Sequence, residues 1–445
     1  MAMTLQGERR VSATPMWMLV ATWALILPMI FFAANGLFTF DPGLARTPAG
    51  TFQNTLTVVH SNTDRLIRAG IALLFLPSMF YLLLSNYRAV ARTCAQQLVI
   101  SAMSLWAILT VIWSQSPGNT IYYGFNLCVM TLFTFYLAHA FDPERLMRFL
   151  MLAGFLFMVL NALTAVFLPF YGTSHSEMGG MPALQGICIH KNACAYTTVF
   201  LIAPALFVRL QGNLPGLRRQ IYIALGLIEV VLTQSRTGWI LAILLLAFAA
   251  FYLTLNRFRS RDAAFLALLF ATITGFISYG IMQNFQQLLI LIGKEKTLSG
   301  RTAIWKAVMA SIWKHPLIGY GFHGFWTGQR GESSNIILRV HWNPGFAHSG
   351  YLETLLEVGG VGCALIAWTF IRAIRDAAGA LSQSRETYLG FYLAVLFLTV
   401  VVNTVESTLL GSSSLTWMFY LLACIGLGDK ARELQMDRRP GRMAR

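Results

Sequence analysis

Long apolar segments separated by short polar connections run through most of the 445-residue chain. Each segment is about 17 to 22 residues long, which is enough for a helix to cross the hydrocarbon core of a bilayer. Hydropathy therefore predicts an all-α integral membrane protein with about twelve spans. The predicted spans lie near residues 16–35, 66–85, 98–114, 119–139, 148–170, 194–211, 220–235, 237–255, 263–282, 352–371, 388–408 and 412–428.

One stretch, residues 283–351, departs from this pattern because polar and aromatic residues replace the apolar run. It separates an N-terminal bundle of about nine spans, residues 1–282, from C-terminal spans and a basic tail, residues 352–445. Within this loop, residues 303–314 have apolar positions at helical spacing. We predict that they form an amphipathic helix lying on the outer surface of the membrane.

Charge is sparse but strongly positive, since 56% of the residues are hydrophobic, 11% are charged and the formal net charge is +15. In a soluble protein this charge would suggest a nucleic-acid partner, whereas in a multi-span protein lysine and arginine collect in cytoplasmic connections. That rule places both termini inside the cell, and the connections 171–193, 235–237, 283–351 and 409–413 outside. The six cysteines form no metal-binding pattern, so buried apolar roles are expected for them.

Lys191, Arg236 and Arg301 come from three different external connections, on the side where positive charge is disfavoured. An arginine guanidinium matches phosphate oxygens two at a time, so Arg236 and Arg301 together suit a diphosphate, with Lys191 as an added point charge. No paired carboxylates stand on this side, which favours chemistry without a metal. The alternative is that Lys191 and Arg236 only reach lipid headgroups from helix ends.

His348 is the candidate general base, because a neutral imidazole accepts a proton from a hydroxyl near neutral pH. The alternative is a structural histidine that caps the helix predicted to start at Ser349. Glu353 follows five residues later, where it either orients the ring or favours the helix N-terminus through the dipole.

Aromatic residues gather in the same loop, and the flat face of an aromatic ring suits stacking of a sugar. Among them, Trp326 and Tyr351 are selected as substrate-binding candidates. For tryptophan, an interfacial belt at the membrane surface is the alternative.

The motifs resemble those of the O-antigen ligase and Wzy-type polymerase superfamily. Five segments carry the resemblance in the expected order over the middle and C-terminal half: GICIHKN at 186–192, TQSRTGW at 233–239, GRTAIW at 300–305, PLIGYGFHGFW at 316–326 and AHSGYLETLLEVG at 347–359. Within the superfamily, HKN and GYGFHGFW are most similar to the exopolysaccharide polymerases of the ExoQ type.

The resemblance implies a GT-C-like bundle and a metal-independent, inverting glycosyl transfer without a cofactor. By motif, Arg236 and Arg301 would hold the lipid diphosphate, His348 would assist the acceptor, and Lys191 matches a basic family position. Serine at position 349 replaces an asparagine that is commoner in the family. The implied location is the bacterial inner membrane, with the active site on the periplasmic face.

Three functions are compatible with these features. The leading one is a polymerase that transfers a glycan from undecaprenyl pyrophosphate onto a lipid-linked repeat unit, with a chain-length regulator as a further partner and no nucleic acid. The second is a ligase that transfers the glycan to lipid A-core. The third is a transporter of lipid-linked sugars, for which two related halves and charges near mid-membrane are expected. Glu229 and Glu406, inside or at the edge of apolar segments, would matter more in a transporter.

Overall fold

The computed structural model describes residues 76–174, 182–188, 190–210, 215–256, 301–328, 331–341, 343–412 and 414–438. The predicted spans 16–35 and 263–282, and the first half of 66–85, lie outside these residues. The described part of the chain is mainly helical, which agrees with the all-α prediction.

Helices joined by short turns make up this part of the chain. They are α1 (Leu76–Ser85), α2 (Tyr87–Gln96), α3 (Leu98–Leu109, followed by a 3₁₀ turn, Thr110–Ile112), α4 (Pro117–Ala140), α5 (Pro143–Phe167), α6 (Pro169–Gly172), α7 (Lys191–Phe207), α8 (Pro215–Leu232), α9 (Arg236–Leu255), α10 (Arg301–Ile312), α11 (Ser333–Val340), α12 (Gly350–Leu381), α13 (Tyr388–Val402) and α14 (Leu415–Arg438). Two short strands, β1 (Thr173–Ser174) and β2 (Ala183–Leu184), pair antiparallel.

Four of the described helices, α4, α5, α9 and α12, are long and apolar enough to cross a membrane. Helices α2 and α3 pass the same test together, although the chain bends by 94° between them, so up to five spans are present in the described residues. Helices α1 and α13 are apolar but shorter. These candidate spans agree with an all-helical membrane protein, while the predicted number of about twelve stays a prediction.

Several predicted span borders differ from the helix ends, two of them at α13 and α12. Helix α13 ends at Val402 and not at residue 408, because the side chain of Asn403 takes over the hydrogen bonding there: its Nδ2 donates to the Thr399 carbonyl, and its Oδ1 accepts from the backbone nitrogen of Thr408. The second border is that of α12, which continues to Leu381 and is broken at Gly359, where φ is 67°. The residues before that break pack with the loop.

Helix α7 is central in the bundle, since it contacts α5, α8, α9, α13 and α14. Most of its side chains are buried. On its inner face, Thr198 donates to the carboxylate of Glu229, which also accepts from Asn161 of α5. These hydrogen bonds satisfy the buried carboxylate of Glu229, so ordinary partners explain its burial. Because α7 is enclosed on all sides, its first residues have a fixed position.

The predicted helix exists as α10, and its apolar stripe is covered by protein, while its location at the membrane surface stays a prediction. Its stripe of Ile304, Ala307, Val308 and Ile312 is buried. This stripe packs into a second hydrophobic cluster, separate from the main core, with residues from α11, the following loop and α12. The buried stripe therefore contacts protein, because the loop provides its own small core.

The glycine-rich segment after α10 docks the loop onto the bundle. Gly319 and Gly321 have φ of 65° and 99°, a left-handed backbone that favours glycine and permits a tight turn. Between them, the Tyr320 nitrogen donates to the Leu356 carbonyl at 2.9 Å. On the other side, the Phe322 nitrogen donates to Thr110 Oγ1, also at 2.9 Å. The loop is thereby attached both to α12 and to the corner between α3 and α4.

Candidate functional site

Two of the predicted basic residues occupy the first position of a capped helix. Lys191 begins α7, where His190 Nδ1 accepts from the backbone nitrogen of Asn192. Arg236 begins α9, where Ser235 Oγ accepts from the backbone nitrogen of Gly238. A helix N-terminus carries a partial positive charge, so a cation there is unfavourable unless an anion is nearby. Free backbone N–H groups and cations together are typical of a phosphate-binding site.

A chain of polar contacts connects these helix starts to the third basic residue. Ser235 Oγ donates to Asn192 Oδ1 at 2.9 Å, and Asn192 Nδ2 donates to Glu406 Oε1 at 3.1 Å. The same oxygen of Glu406 lies 3.7 Å from a terminal nitrogen of Arg301. We call Ser235, Asn192 and Glu406 the polar bridge. It joins the elements that carry Arg236 and Arg301.

Glu406 is an enclosed carboxylate, with a side chain that is only 10% exposed. Burial raises the pKa of this carboxyl above its usual value, although Arg301 and the hydrogen bond from Asn192 both lower it. A buried carboxylate needs partners of this kind to stay charged.

The start of α12 rests on the same turn. The backbone nitrogen of Gly350 donates to the carbonyl oxygens of both Asn403 and Glu406, each at 2.9 Å. A side chain at position 350 would meet the Asn403 side-chain oxygen at 2.0 Å. Only glycine permits this approach, which explains the glycine of the AHSG segment.

The Gly350→Ala variant should therefore disturb the site without touching a candidate catalytic residue. The added methyl group must displace the 403–406 turn, and we expect a loss of about 1 to 3 kcal/mol in the free energy of unfolding, as for overpacking in a core. Thermal unfolding of the detergent-solubilised protein measures this loss. Gly379→Ala is the matched control, because a methyl group there meets nothing within 4 Å. Equal stability of the two variants would contradict the close approach at position 350.

His348 lies immediately before this helix start, in the left-handed region with φ of 52°. This conformation is unfavourable for a residue other than glycine, by about 1 to 2 kcal/mol, and such strain is common at functional sites. Burial, followed by the charges of Arg301 and His190, lowers the pKa of His348 to about 4. The imidazole is therefore neutral at physiological pH, and Arg301 and His190 lie close enough to influence it.

The backbone before His348 is held from two sides. Trp305 Nε1 donates to the Ala347 carbonyl at 3.0 Å, and the carboxylate of Glu353 accepts from the Ala347 nitrogen. These contacts give Glu353 a third role beside the two considered from the sequence. Its carboxylate orients the backbone before His348 and not the imidazole ring.

The two aromatic candidates are placed differently. Trp326 is half-buried, and its Nε1 donates to Glu353 at 2.7 Å, so it belongs to the support of the His348 segment. Tyr351 is 41% exposed, and its hydroxyl donates to the Val400 carbonyl of α13 at 2.8 Å. Contact of either ring with a sugar stays a prediction.

The structure brings the basic residues and the histidine together through their neighbours. Lys191 and Arg236 are adjacent in sequence to Asn192 and Ser235, Arg301 contacts Glu406, and the segment after His348 rests on the Glu406 carbonyl. Lys191 is also buried, with 6% of its surface exposed. The roles of these residues in catalysis and binding stay predictions.

Sequence reasoning missed Asn192 and Ser235, and it considered Glu406 only for a transporter. A signal for Glu406 was present, because a carboxylate at the edge of an apolar segment needs a partner. Within the described ranges, no three His, Cys, Asp or Glu side chains are arranged to hold a metal ion. The metal independence of the transfer stays a prediction.

Comparison with known proteins tests the resemblance suggested by the motifs. Residues 221–367 match the O-antigen ligase family, Wzy_C. The matched region contains Arg236, Arg301 and His348, while Lys191 and Glu406 lie outside it. The exopolysaccharide production protein ExoQ of Rhizobium meliloti (strain 1021) is 25% identical over 307 residues, which cover 66% of this chain and 68% of that protein. The resemblance to this superfamily is thereby confirmed.

The family match and the ExoQ relative support a glycosyl-transfer function of the polysaccharide polymerase or O-antigen ligase type. The family implies lipid-linked glycan substrates at a membrane. The apolar helices agree with a multi-pass membrane protein.

Proposed function

We propose that the protein polymerises undecaprenyl-pyrophosphate-linked repeat units into an exopolysaccharide at the periplasmic face of the bacterial inner membrane. The observation that supports this proposal is the polar bridge, which links the helix starts that carry Lys191 and Arg236 to Arg301, whose charge reaches the neutral imidazole of His348. Cations at the starts of capped helices suit a diphosphate better than a neutral sugar, because they add to the partial charge of the helix ends.

The proposed reaction is an inverting displacement. An acceptor hydroxyl oxygen attacks the anomeric carbon of the donor glycan, and the bond from that carbon to the diphosphate oxygen breaks. The electron pair leaves with the lipid diphosphate, whose growing charge Arg236 and Arg301 stabilise. The hydroxyl proton passes to His348, which accepts a hydrogen bond from that hydroxyl in its neutral form.

Polymerisation is preferred to ligation because of the ExoQ relative and the similarity of the HKN and GYGFHGFW segments to proteins of that type. In a polymerase, the acceptor is a second lipid-linked unit, so both substrates reach the site from the membrane. In a ligase, the acceptor would be lipid A-core. The donor half of the site is the same in both cases.

Reconstitution separates these functions. The full-length protein in lipid nanodiscs is mixed with lipid-linked repeat units isolated from its host, and the products are resolved by gel and mass spectrometry. We expect a ladder of lipid-linked oligomers. A single transfer that requires added lipid A-core would indicate a ligase. Repeat units that stay unextended in nanodiscs but cross the bilayer in proteoliposomes would indicate a transporter and overturn the proposal.

A further inference from the structure

The two arginines proposed to hold the diphosphate belong to separate elements, so something must fix the distance between them. Arg236 is on α9, which starts after a tight turn, and Arg301 is on α10, in the loop. A diphosphate has a fixed size, and a displacement of about 1 Å between groups that hold a reacting substrate lowers the rate by about 100-fold.

The polar bridge supplies this connection, and each of its polar atoms has a defined task. Ser235 Oγ accepts a hydrogen bond from the Gly238 nitrogen, which occupies one lone pair of the hydroxyl oxygen. The same hydroxyl donates its hydrogen to Asn192 Oδ1. The amide of Asn192 then has its oxygen used by Ser235, and its nitrogen donates to Glu406. The hydrogen bonds therefore require an amide at position 192 and an acceptor at position 406.

The contact between Glu406 and Arg301 leaves the arginine able to bind a ligand. It joins one carboxylate oxygen to one terminal nitrogen at 3.7 Å, which is longer than the paired hydrogen bonds of a fork-to-fork contact. Arg301 can keep its other donors for phosphate oxygens while the carboxylate restrains the position of the guanidinium. Because both side chains are at least 85% buried by the loop and the bundle, water screens this contact weakly.

Glu406 also supports the histidine side of the site through its backbone. Its carbonyl oxygen accepts from the Gly350 nitrogen, two residues after His348. One short turn, residues 403–406, therefore contacts α7, α10 and the start of α12. The Glu406 side chain contacts Asn192 and Arg301, and its backbone carbonyl holds the start of α12, which follows His348.

We infer that Glu406 is a positioning residue, which acts with Asn192 and Ser235 to hold the two arginines at the spacing of a lipid-linked diphosphate. This inference rests on the proposed function for the identity of the ligand. The polar bridge itself is independent of that function, and it is testable without an activity assay.

Exchanging the hydrogen-bonding groups tests the inference. The Asn192→Asp variant places two carboxylates against each other and removes the donor, so we expect the donor KM to rise and kcat/KM to fall by about 100-fold. In the double variant Asn192→Asp with Glu406→Gln, an amide at position 406 donates to a carboxylate at position 192. We expect kcat/KM of this double variant to be about tenfold higher than that of Asn192→Asp alone.

The donor KM distinguishes positioning from stability. A variant that only reduces the folded fraction lowers kcat and leaves KM unchanged, whereas a displaced Arg301 weakens donor binding and raises KM. Glu332→Gln is the matched control, since it removes the Lys314–Glu332 ion pair at 2.8 Å in the same loop, away from the polar bridge. We expect its kinetics to be within about twofold of the wild type, because partly exposed pairs contribute little.

The outcomes separate the inference from the proposed function. If Arg301→Ala is inactive while Asn192→Asp and Glu406→Gln both keep the wild-type donor KM, the positioning role is overturned and the proposed function is retained. If the wild type extends no lipid-linked unit, a double-mutant cycle of Asn192→Ala and Glu406→Ala on thermal stability still tests the polar bridge. Non-additive melting temperatures support it, and strictly additive ones overturn it.

Discussion

Replacing Arg301 with alanine will abolish polymer formation, with kcat/KM reduced by about 100- to 1,000-fold, because a cation that stabilises the departing diphosphate is lost. Arg301→Lys keeps the charge but loses the planar fork, so we expect an intermediate activity. Arg236→Ala should have an effect of the same order as Arg301→Ala. Polymer length in cells and turnover of lipid-linked repeat units in nanodiscs both measure the loss.

Arg339 provides the matched control for this prediction. It is an exposed arginine on α11 of the same loop, and its replacement by alanine removes the same charge without touching the candidate site. We expect Arg339→Ala to make polymer of normal length. Normal polymer from Arg301→Ala as well would show that the diphosphate is held elsewhere.

Replacing His348 should lower kcat by about 100-fold, the lower end of the range for a group that transfers a proton. Alanine at this position adds backbone strain to the chemical effect, because φ is 52°. Asparagine tolerates left-handed conformations better. His348→Asn therefore isolates the chemistry, and we expect it to fold like the wild type and to lose activity to the same extent as His348→Ala.

The pH dependence of the wild-type enzyme gives a second measurement of His348. Its pKa is lowered to about 4, mainly by burial and then by Arg301 and His190. The imidazole is thus neutral above that pH and becomes protonated only as the pH falls through about 4. We expect no decrease in kcat/KM that depends on His348 between about pH 8 and pH 5. A break near the ordinary value of 6.5, lost in His348→Asn, would show that the ring is solvated.

Much of the bundle could be predicted from the sequence, because hydrophobic length is a local property. The helices predicted at 119–139, 148–170 and 237–255 correspond to α4, α5 and α9. The end of α13 was missed, since the predicted span continued to residue 408 while the side chain of Asn403 ends the helix. Of residues 404–408 only Val405 is apolar, so the polar residues themselves indicated an earlier end.

The basic residues and the histidine of the candidate site could be named from the sequence, but their supports could not. Arg236 and Arg301 stand out because positive charge is unusual on the external side. Asn192 and Ser235 look like ordinary polar residues near helix starts, and their roles appear only when three distant segments meet at Glu406. The protein partners of the apolar stripe of α10 were missed for a similar reason, since a one-dimensional pattern does not distinguish lipid from a protein partner.

The break of α12 at Gly359 bears on how this loop can be exchanged between relatives. Hydropathy places the membrane boundary near residue 352, yet the segment from Gly350 to Val358 packs with the loop and provides the carbonyls to which Tyr320 and Gly321 bind. A chimaera joined at residue 351 would separate these partners, whereas one joined after Val361 would transfer them together with the Gly360 and Val361 nitrogens, which donate to the Pro316 and Leu317 carbonyls.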